Sequence, residues 1–278
     1  DIGSASENYG ENMKAQAYDK LFDLRNNIGY IALPKMMNRE DDPEFFTLLA
    51  DKMIEFKETK ALVIDIRDNG GGRRDIIRML SSYFLSPSDD PWVANVARVR
   101  VDTVLNKDIE QMSGRGLYTY GSPAFDEADR KAIDDFMKDF VPNGKIKDEQ
   151  FSDNYYMVLR SDYYPAAYYY DKPVYLLVNE RTFSAASVMG SVFKGMGKVK
   201  LAGVTTDGSS GLSKSFALKN SQLIIRLSRM ISFQRNGKTL DGNGTVPDII
   251  MPRDTIQILG LEDTQFSKLI KYIDESAK

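Results

Sequence analysis

The sequence predicts an α/β fold: a mixed or mostly parallel sheet with flanking helices, plus an inserted α+β cap. Two short runs, "ALVIDI" (61–66) and "PVYLLV" (173–178), are continuously apolar, as strands buried on both faces are. Each run breaks at a polar or glycine-bearing turn and leads into a helix-like segment, "RDIIRMLSSYFL" or "SAASVMGSVFKGMG". Between these two units the texture changes, becoming charged and rich in tyrosine.

Taken in order, "DIGSASENYGEN" is polar and rich in small residues. It reads as a flexible lead-in and lacks the pattern of a signal peptide. "IGYIAL" (28–33), stopped by Pro34, reads as a buried strand. Asp42 and Pro43 open a helix over 43–58, because Phe45, Leu48, Leu49, Met53 and Phe56 recur at helical spacing. "VANVARVRVDTVL" (93–105) alternates as a strand does, and residues 122–144 read as one helix ended by Pro142 and Gly144. "KVKLAGV" is a further strand, "TTDGSSGLS" a polar loop and "QLIIRLSRM" (222–230) a strand. "QRNGKTLDGNG" holds hairpin-type turns, and "DTQFSKLIKYIDES" is a terminal amphipathic helix. The expected organisation is a lead-in with an N-terminal helix (1–27), the first part of a catalytic-type core (28–85), a cap (86–171) and the second part of the core (172–278).

With 278 residues, 42% of them hydrophobic, the chain can bury a sizeable core. A net charge of −3 offers no electrostatic case for nucleic acid. No apolar run reaches the roughly 18–20 residues that span a bilayer as a helix. There is no cysteine, which excludes disulfides, thiolate metal sites and a cysteine nucleophile. There is no histidine either, so the commonest base and the commonest metal ligand are missing. Any hydrolytic mechanism must use lysine, aspartate, glutamate, tyrosine or a terminal amine, and neither a metal nor a cofactor is expected.

Four places bear chemistry. Gly70, Gly71 and Gly72 follow a strand and open a helix, where backbone amides favour negative charge. "DNGGGRRD" lacks the spacing of dinucleotide and mononucleotide phosphate loops, which leaves an oxyanion hole or a plain tight turn. In "NERTFSAASVMG", Ser184 and Ser187 stand where a strand runs into a helix. Ser184 reads either as an N-cap or as a nucleophile with the Ala185 amide as oxyanion donor. Asp241 precedes Gly242, which suits a turn as well as a catalytic acid. Asp65, inside a buried strand, is expected to be hydrogen-bonded and structural. The tyrosines of "DNYYMVLRSDYYPAAYYYDKP" read as packing residues or as the wall of a peptide groove.

Three segments in this order, "ALVIDIRDNGGG", "VYLLVNERTFSAASVMGSVFKGMGKVKLAGVTTDG" and "GKTLDGNGTVPDI", resemble the core of the carboxyl-terminal-processing (tail-specific) serine protease family. "NIGYIALPKM" is similar to the first core strand of its tricorn-like branch. The likeness covers roughly 28–85 and 172–255. It implies a ClpP/crotonase-like core and a serine-type peptidase acting on peptide or protein substrates, carboxyl-terminal segments among them. It also implies a periplasmic or cell-envelope setting. Ser184 matches the family's nucleophile, and Ala185 with the Gly70–Gly72 turn matches its oxyanion amides, Gly71 being favoured. Asp241 matches the acid that orients the catalytic histidine in the tricorn-like branch.

Both family bases are replaced. Ser209 stands at the lysine position of tail-specific members, and Ala32 at the histidine position of tricorn-like members. Lys35 and Lys214 are the nearest substitutes in sequence. Two readings follow: a serine peptidase with a relocated base, or a catalytically silent homologue that binds extended peptides or protein carboxyl termini. A crotonase-like acyl-CoA enzyme is disfavoured, because the serine and acid motifs track the protease branch.

Overall fold

The computed structural model describes residues 17–101, 112–144 and 146–276. Most of the expected lead-in (1–16) and the end of the expected strand 93–105 lie outside the described residues. In chain order come β1 (Phe22–Arg25), β2 (Ile28–Ala32), α1 (Pro43–Glu55), β3 (Ala61–Asp65), α2 (Asp75–Phe84) and β4 (Trp92–Val99). Then follow β5 (Tyr118–Thr119), α3 (Glu127–Asp139), β6 (Tyr155–Leu159), β7 (Val174–Val178), α4 (Ala185–Phe193) and β8 (Val199–Gly203). The chain closes with β9 (Ser213–Ala217), β10 (Ile224–Ser228), β11 (Met230–Phe233), β12 (Ile249–Ile250), a short α5 (Thr255–Ile258) and α6 (Thr264–Ser276).

The principal sheet runs β1-β2-β3-β7-β8-β12. β1 and β2 form an antiparallel hairpin, turned at Asn26 and Asn27, both at positive φ. From β2 onward every neighbour is parallel. The predicted α/β class with a mixed, mostly parallel sheet is the one observed.

Period-two alternation sorts β3 and β7 between two cores. Leu62 and Ile64 of β3, with Val174, Leu176 and Val178 of β7, face the larger core beneath α1, α2 and α4. Ala61, Val63, Tyr175 and Leu177 point the other way, onto Phe266, Leu269 and Ile273 of α6. The strands are covered on both faces, which is why they read as unbroken apolar runs. α1 begins at Pro43 and tightens into a 3₁₀ turn at Phe56–Glu58, so the predicted 43–58 range holds.

A second sheet, β11-β4-β6-β5, is antiparallel. It packs against α3, whose start is fixed by a reciprocal cap between Asp126 and Asp129. The single strand expected over 222–230 is two strands. β10 ends at Ser228, whose hydroxyl donates to Met230 O (2.8 Å), while Arg229 N donates to Leu212 O (2.6 Å). After this bend β11 pairs with β4. β10 pairs with β9 alone, in a hairpin whose residues are almost all exposed.

The tyrosine-rich stretch packs. Tyr168 meets Tyr83 edge to face at 5.4 Å, and Tyr170, buried, shares a hydrogen bond with Thr59 (2.8 Å).

Leu176 lies fully inside the larger core. Leu176→Ala is expected to cost about 2–5 kcal/mol of unfolding free energy, read from a urea denaturation midpoint at unchanged slope. A loss within about 0.5 kcal/mol would contradict the burial described.

Candidate active site

β3 and β7 are parallel neighbours, so the turns leaving them lie side by side. Side chains stitch the two turns together. Asn179 accepts from Asp68 N (3.0 Å) and donates to Asp68 Oδ1 (2.8 Å), while Thr182 Oγ1 donates to Ile66 O (3.0 Å). Asn69 is fully buried; its Nδ2 donates to Leu33 O (2.7 Å), and its carbonyl accepts from Phe183 N (2.9 Å).

This stitching presses the glycine turn onto Ser184. Gly71 has φ 92°, and a Cβ there would fall 2.6 Å from Ser184 Cβ and 2.9 Å from Ala185 N. Gly72 has φ 142°, and its Cβ would fall 2.4 Å from Met36 O. Gly70 is not in the left-handed region and has open space around it. Gly71 and Gly72 therefore require glycine and Gly70 does not.

Ser184 heads α4 with φ 54° and ψ −124°. A non-glycine residue held there costs on the order of 1–3 kcal/mol. The strand–turn–helix geometry is that of a serine lifted clear of its own backbone. Ser184 makes no side-chain cap, so the plain N-cap role is not the one it plays. Its Oγ has no hydrogen-bond partner among the described residues. Ser187, by contrast, is fully buried; its hydroxyl pairs with Thr206 (3.0 Å) and accepts from Gly208 N (3.2 Å).

A cavity of about 270 Å³ opens at Ser184, lined by Gly72, Arg73, Arg74, Gly114, Arg115, Ala185 and Ser210. Gly71 N is already committed to Asn69 Oδ1 (2.8 Å). Among the described residues the amides of Gly72 and Ala185 donate to nothing, and both residues line the cavity. The Gly71 amide, the one favoured from the sequence, is therefore taken, while those of Gly72 and Ala185 are not.

Asp241 stands one step behind the cavity wall. It accepts from Ser210 N (3.1 Å), Ser210 Oγ (3.1 Å) and Ser232 N (3.3 Å). Burial pushes its carboxyl above the usual range, against the pull of these hydrogen bonds. It thus orients Ser210. Ser209, at the expected lysine position, is half-buried with its amide on Asp207 and is not in the lining.

The ionisable groups of the lining are arginines. Arg74 is 7% exposed, and the one hydrogen bond of its side chain among the described residues runs from Nη1 to Arg115 O (3.1 Å). Burial, and then the Arg115 guanidinium, push its pKa down to about 9, opposed by Asp241. It is still a cation at neutral pH. Burial likewise lowers Arg115, with Arg73 adding to the effect.

Ala32 faces a different cavity, of about 420 Å³, at the carboxyl ends of β2 and β3. Its charges are matched: Arg67 pairs with Asp65 (2.5 Å) and Asp263 (2.5 Å), Arg181 with Asp68 (2.6 Å), and Arg253 with Glu180. Asp65 also accepts from Tyr30 OH (2.9 Å), the bonded structural role expected of it. Lys35 pairs with Asp42 (3.2 Å), and Lys214 lies over the Phe216 ring in the exposed hairpin. Neither reaches the Ser184 cavity. Among the described residues no group of carboxylates is gathered as a metal site, and no helix is long and apolar enough to cross a membrane.

Sequence reasoning missed Asn69, Arg74 and Arg115. Only Arg74 left a trace: "GGGRRD" puts cations at a helix start, where the dipole disfavours them.

The profile described as peptidase family S41 matches residues 27–251. No curated protein shows significant sequence similarity to the chain. Among solved structures, the chain is similar to a "putative peptidase" from Parabacteroides merdae, at 19% identity and TM-score 0.60, covering 91% of this chain and 63% of that one. It is also similar to mature CPAF complexed with lactacystin, at 16% identity and TM-score 0.58, covering 90% of this chain and 50% of that one. At such identities the shared feature is the fold. The chain spans only about half to two-thirds of these structures.

Gly71→Ala is expected to cost roughly 1–3 kcal/mol and Gly70→Ala no more than about 0.5, by chemical denaturation; equal costs would contradict the close approach at Ser184. A second expectation concerns pH. Folded Asp241 keeps its proton to higher pH than an unfolded aspartate, so the folded state binds more protons between the two pKa values. Stability contributed by this group therefore falls as pH rises through that window. Measured from about pH 3.5 to about pH 7, wild type should lose stability relative to Asp241→Asn, starting near the ordinary aspartate pKa of about 4. A pH-independent difference would exclude it.

Proposed function

The chain belongs to peptidase family S41, and from that membership we propose that it is a catalytically silent member that holds an extended peptide at the Ser184 cavity. The reading is carried by Ser184 Oγ, which has no proton acceptor among the described residues: it makes no hydrogen bond to them, and the ionisable side chains they contribute to the cavity are three arginines. A serine hydroxyl is a weak nucleophile until a neighbouring base takes its proton. Losing a serine protease's base costs on the order of 10⁶ in turnover. Binding and oxyanion stabilisation leave roughly 10³–10⁴ over water. Asp241 does not fill the gap, because it is spent on Ser210 and Ser232.

What supports peptide binding is the machinery still in place. Ser184 keeps its strained turn, and the amides of two lining residues, Gly72 and Ala185, have no partner among the described residues. An extended peptide placing a carbonyl or carboxylate oxygen there would satisfy both.

The same strained turn supports a second reading, a serine-type peptidase with Ser184 as nucleophile and Gly72 and Ala185 as oxyanion donors. A fluorophosphonate probe separates the two. At neutral pH Ser184 should stay unlabelled, and peptides with free carboxyl termini should bind wild type and Ser184→Ala alike. Labelling of Ser184, with peptide hydrolysis lost in Ser184→Ala, would sink the silent reading in favour of the peptidase. No binding across a diverse peptide set would sink peptide recognition itself.

A further inference from the structure

The lining of the Ser184 cavity has an unbalanced charge. Among the described residues Arg73, Arg74 and Arg115 line it and no carboxylate does; Asp241 stands behind the wall, hydrogen-bonded to Ser210 and Ser232. Among the described residues none of the three makes an ion pair, and Arg115 Nε is buried with no hydrogen-bond partner. Arg74 is more than nine-tenths buried, and the single bond of its side chain goes to a neutral carbonyl. Unpaired buried charge is strongly unfavourable, so such a group is normally found where an anion completes it. Two helix starts, those of α2 and α4, also converge here, at Arg74 and Ser184. Their dipoles repel guanidinium and attract anions. The free amides of Gly72 and Ala185 add two uncommitted donors.

We infer that this cavity binds a phosphate monoester, carried by the polypeptide that the site receives, with Arg74 as its buried anchor. A single carboxylate would leave two cations uncompensated. A phosphate monoester brings about −1.5 to −2 charges and three strong acceptor oxygens. It can take a paired contact from one guanidinium and still accept from the others and from the amides. Only the identity of the carrier rests on the peptide reading; the anion site rests on the arginines.

Thermal unfolding of the whole chain with inorganic phosphate, against chloride at matched ionic strength, tests the site. Wild type and Arg226→Met, a hairpin control outside the cavity, should be stabilised increasingly as phosphate rises, logarithmically above the dissociation constant, as for a ligand that binds only the folded form. Arg74→Met should be as stable as wild type or more so without phosphate, and should lose the response. Equal stabilisation of wild type and Arg74→Met, or of neither, overturns the inference. The carrier is tested by titrating matched peptides with and without phosphoserine. Phosphorylation should tighten binding to wild type by roughly tenfold or more and change little for Arg74→Met. Peptides that bind equally with and without the phosphate overturn the phosphate monoester while leaving the peptide reading intact. A phosphate response that needs Arg74, with no peptide bound, upholds the anion site and overturns the peptide as its carrier.

Discussion

Two strand-end turns meet with no room for a side chain between them. A Cβ on Gly71 would collide with Ser184 and the Ala185 amide, and everything distinctive about the site follows from that close approach. The parallel pairing of β3 with β7 brings the turns level, and Asn69 and Asn179 lock them there. Parallel strands with helical crossovers place the following helix starts at the same edge of the sheet. The starts of α2 and α4 are therefore delivered to one cavity by topology alone. Ser184 is held in its unfavourable backbone state because both neighbouring segments are tied, and local strain survives only where its surroundings overdetermine it.

The molecule treats charge differently in its two cavities. At the carboxyl ends of β2 and β3, arginine and aspartate interlock, and Arg67 alone bridges two carboxylates. That arrangement is closed: each cation has its partner, and the cavity has little left to offer a ligand. At Ser184 the three arginines make no ion pair among the described residues, and Asp241 acts on Arg74 only from behind the wall. The larger opening is a finished ion-pair network, and the smaller one is unfinished until something enters.

The strands were legible because burial on both faces leaves an unmistakable signature, as in "ALVIDI" and "VYLLV". The place of Ser184 between a strand and a small-residue helix was legible, but its left-handed backbone was not. Other features depend on contacts distant in sequence. Which of three glycines offers a free amide turns on Asn69 curling back onto Gly71. Whether Ser209 or Ser210 faces the cavity turns on the grip of Asp241, some thirty residues on. "RR" after a glycine turn looks like solvated charge, which holds for exposed Arg73 but not for Arg74, buried with its Nη1 on Arg115 O. The change of partner between β10 and β11 was hidden for the same reason, since "QLIIRLSRM" has continuous strand character on both sides of the bend.

The β9–β10 hairpin belongs to neither sheet and to neither large core. Phe216, Leu218, Leu223, Ile225 and Leu227 line one of its faces, each more than a third exposed. Little buried surface ties its opening to that of the rest of the chain. Its ladder can separate and re-form while both sheets stay shut, so its amides belong to the fast-exchanging class and its tip is the natural entry point for a protease. The chain thus carries a segment whose persistence time is set locally, a few residues downstream of the loop that holds Ser210.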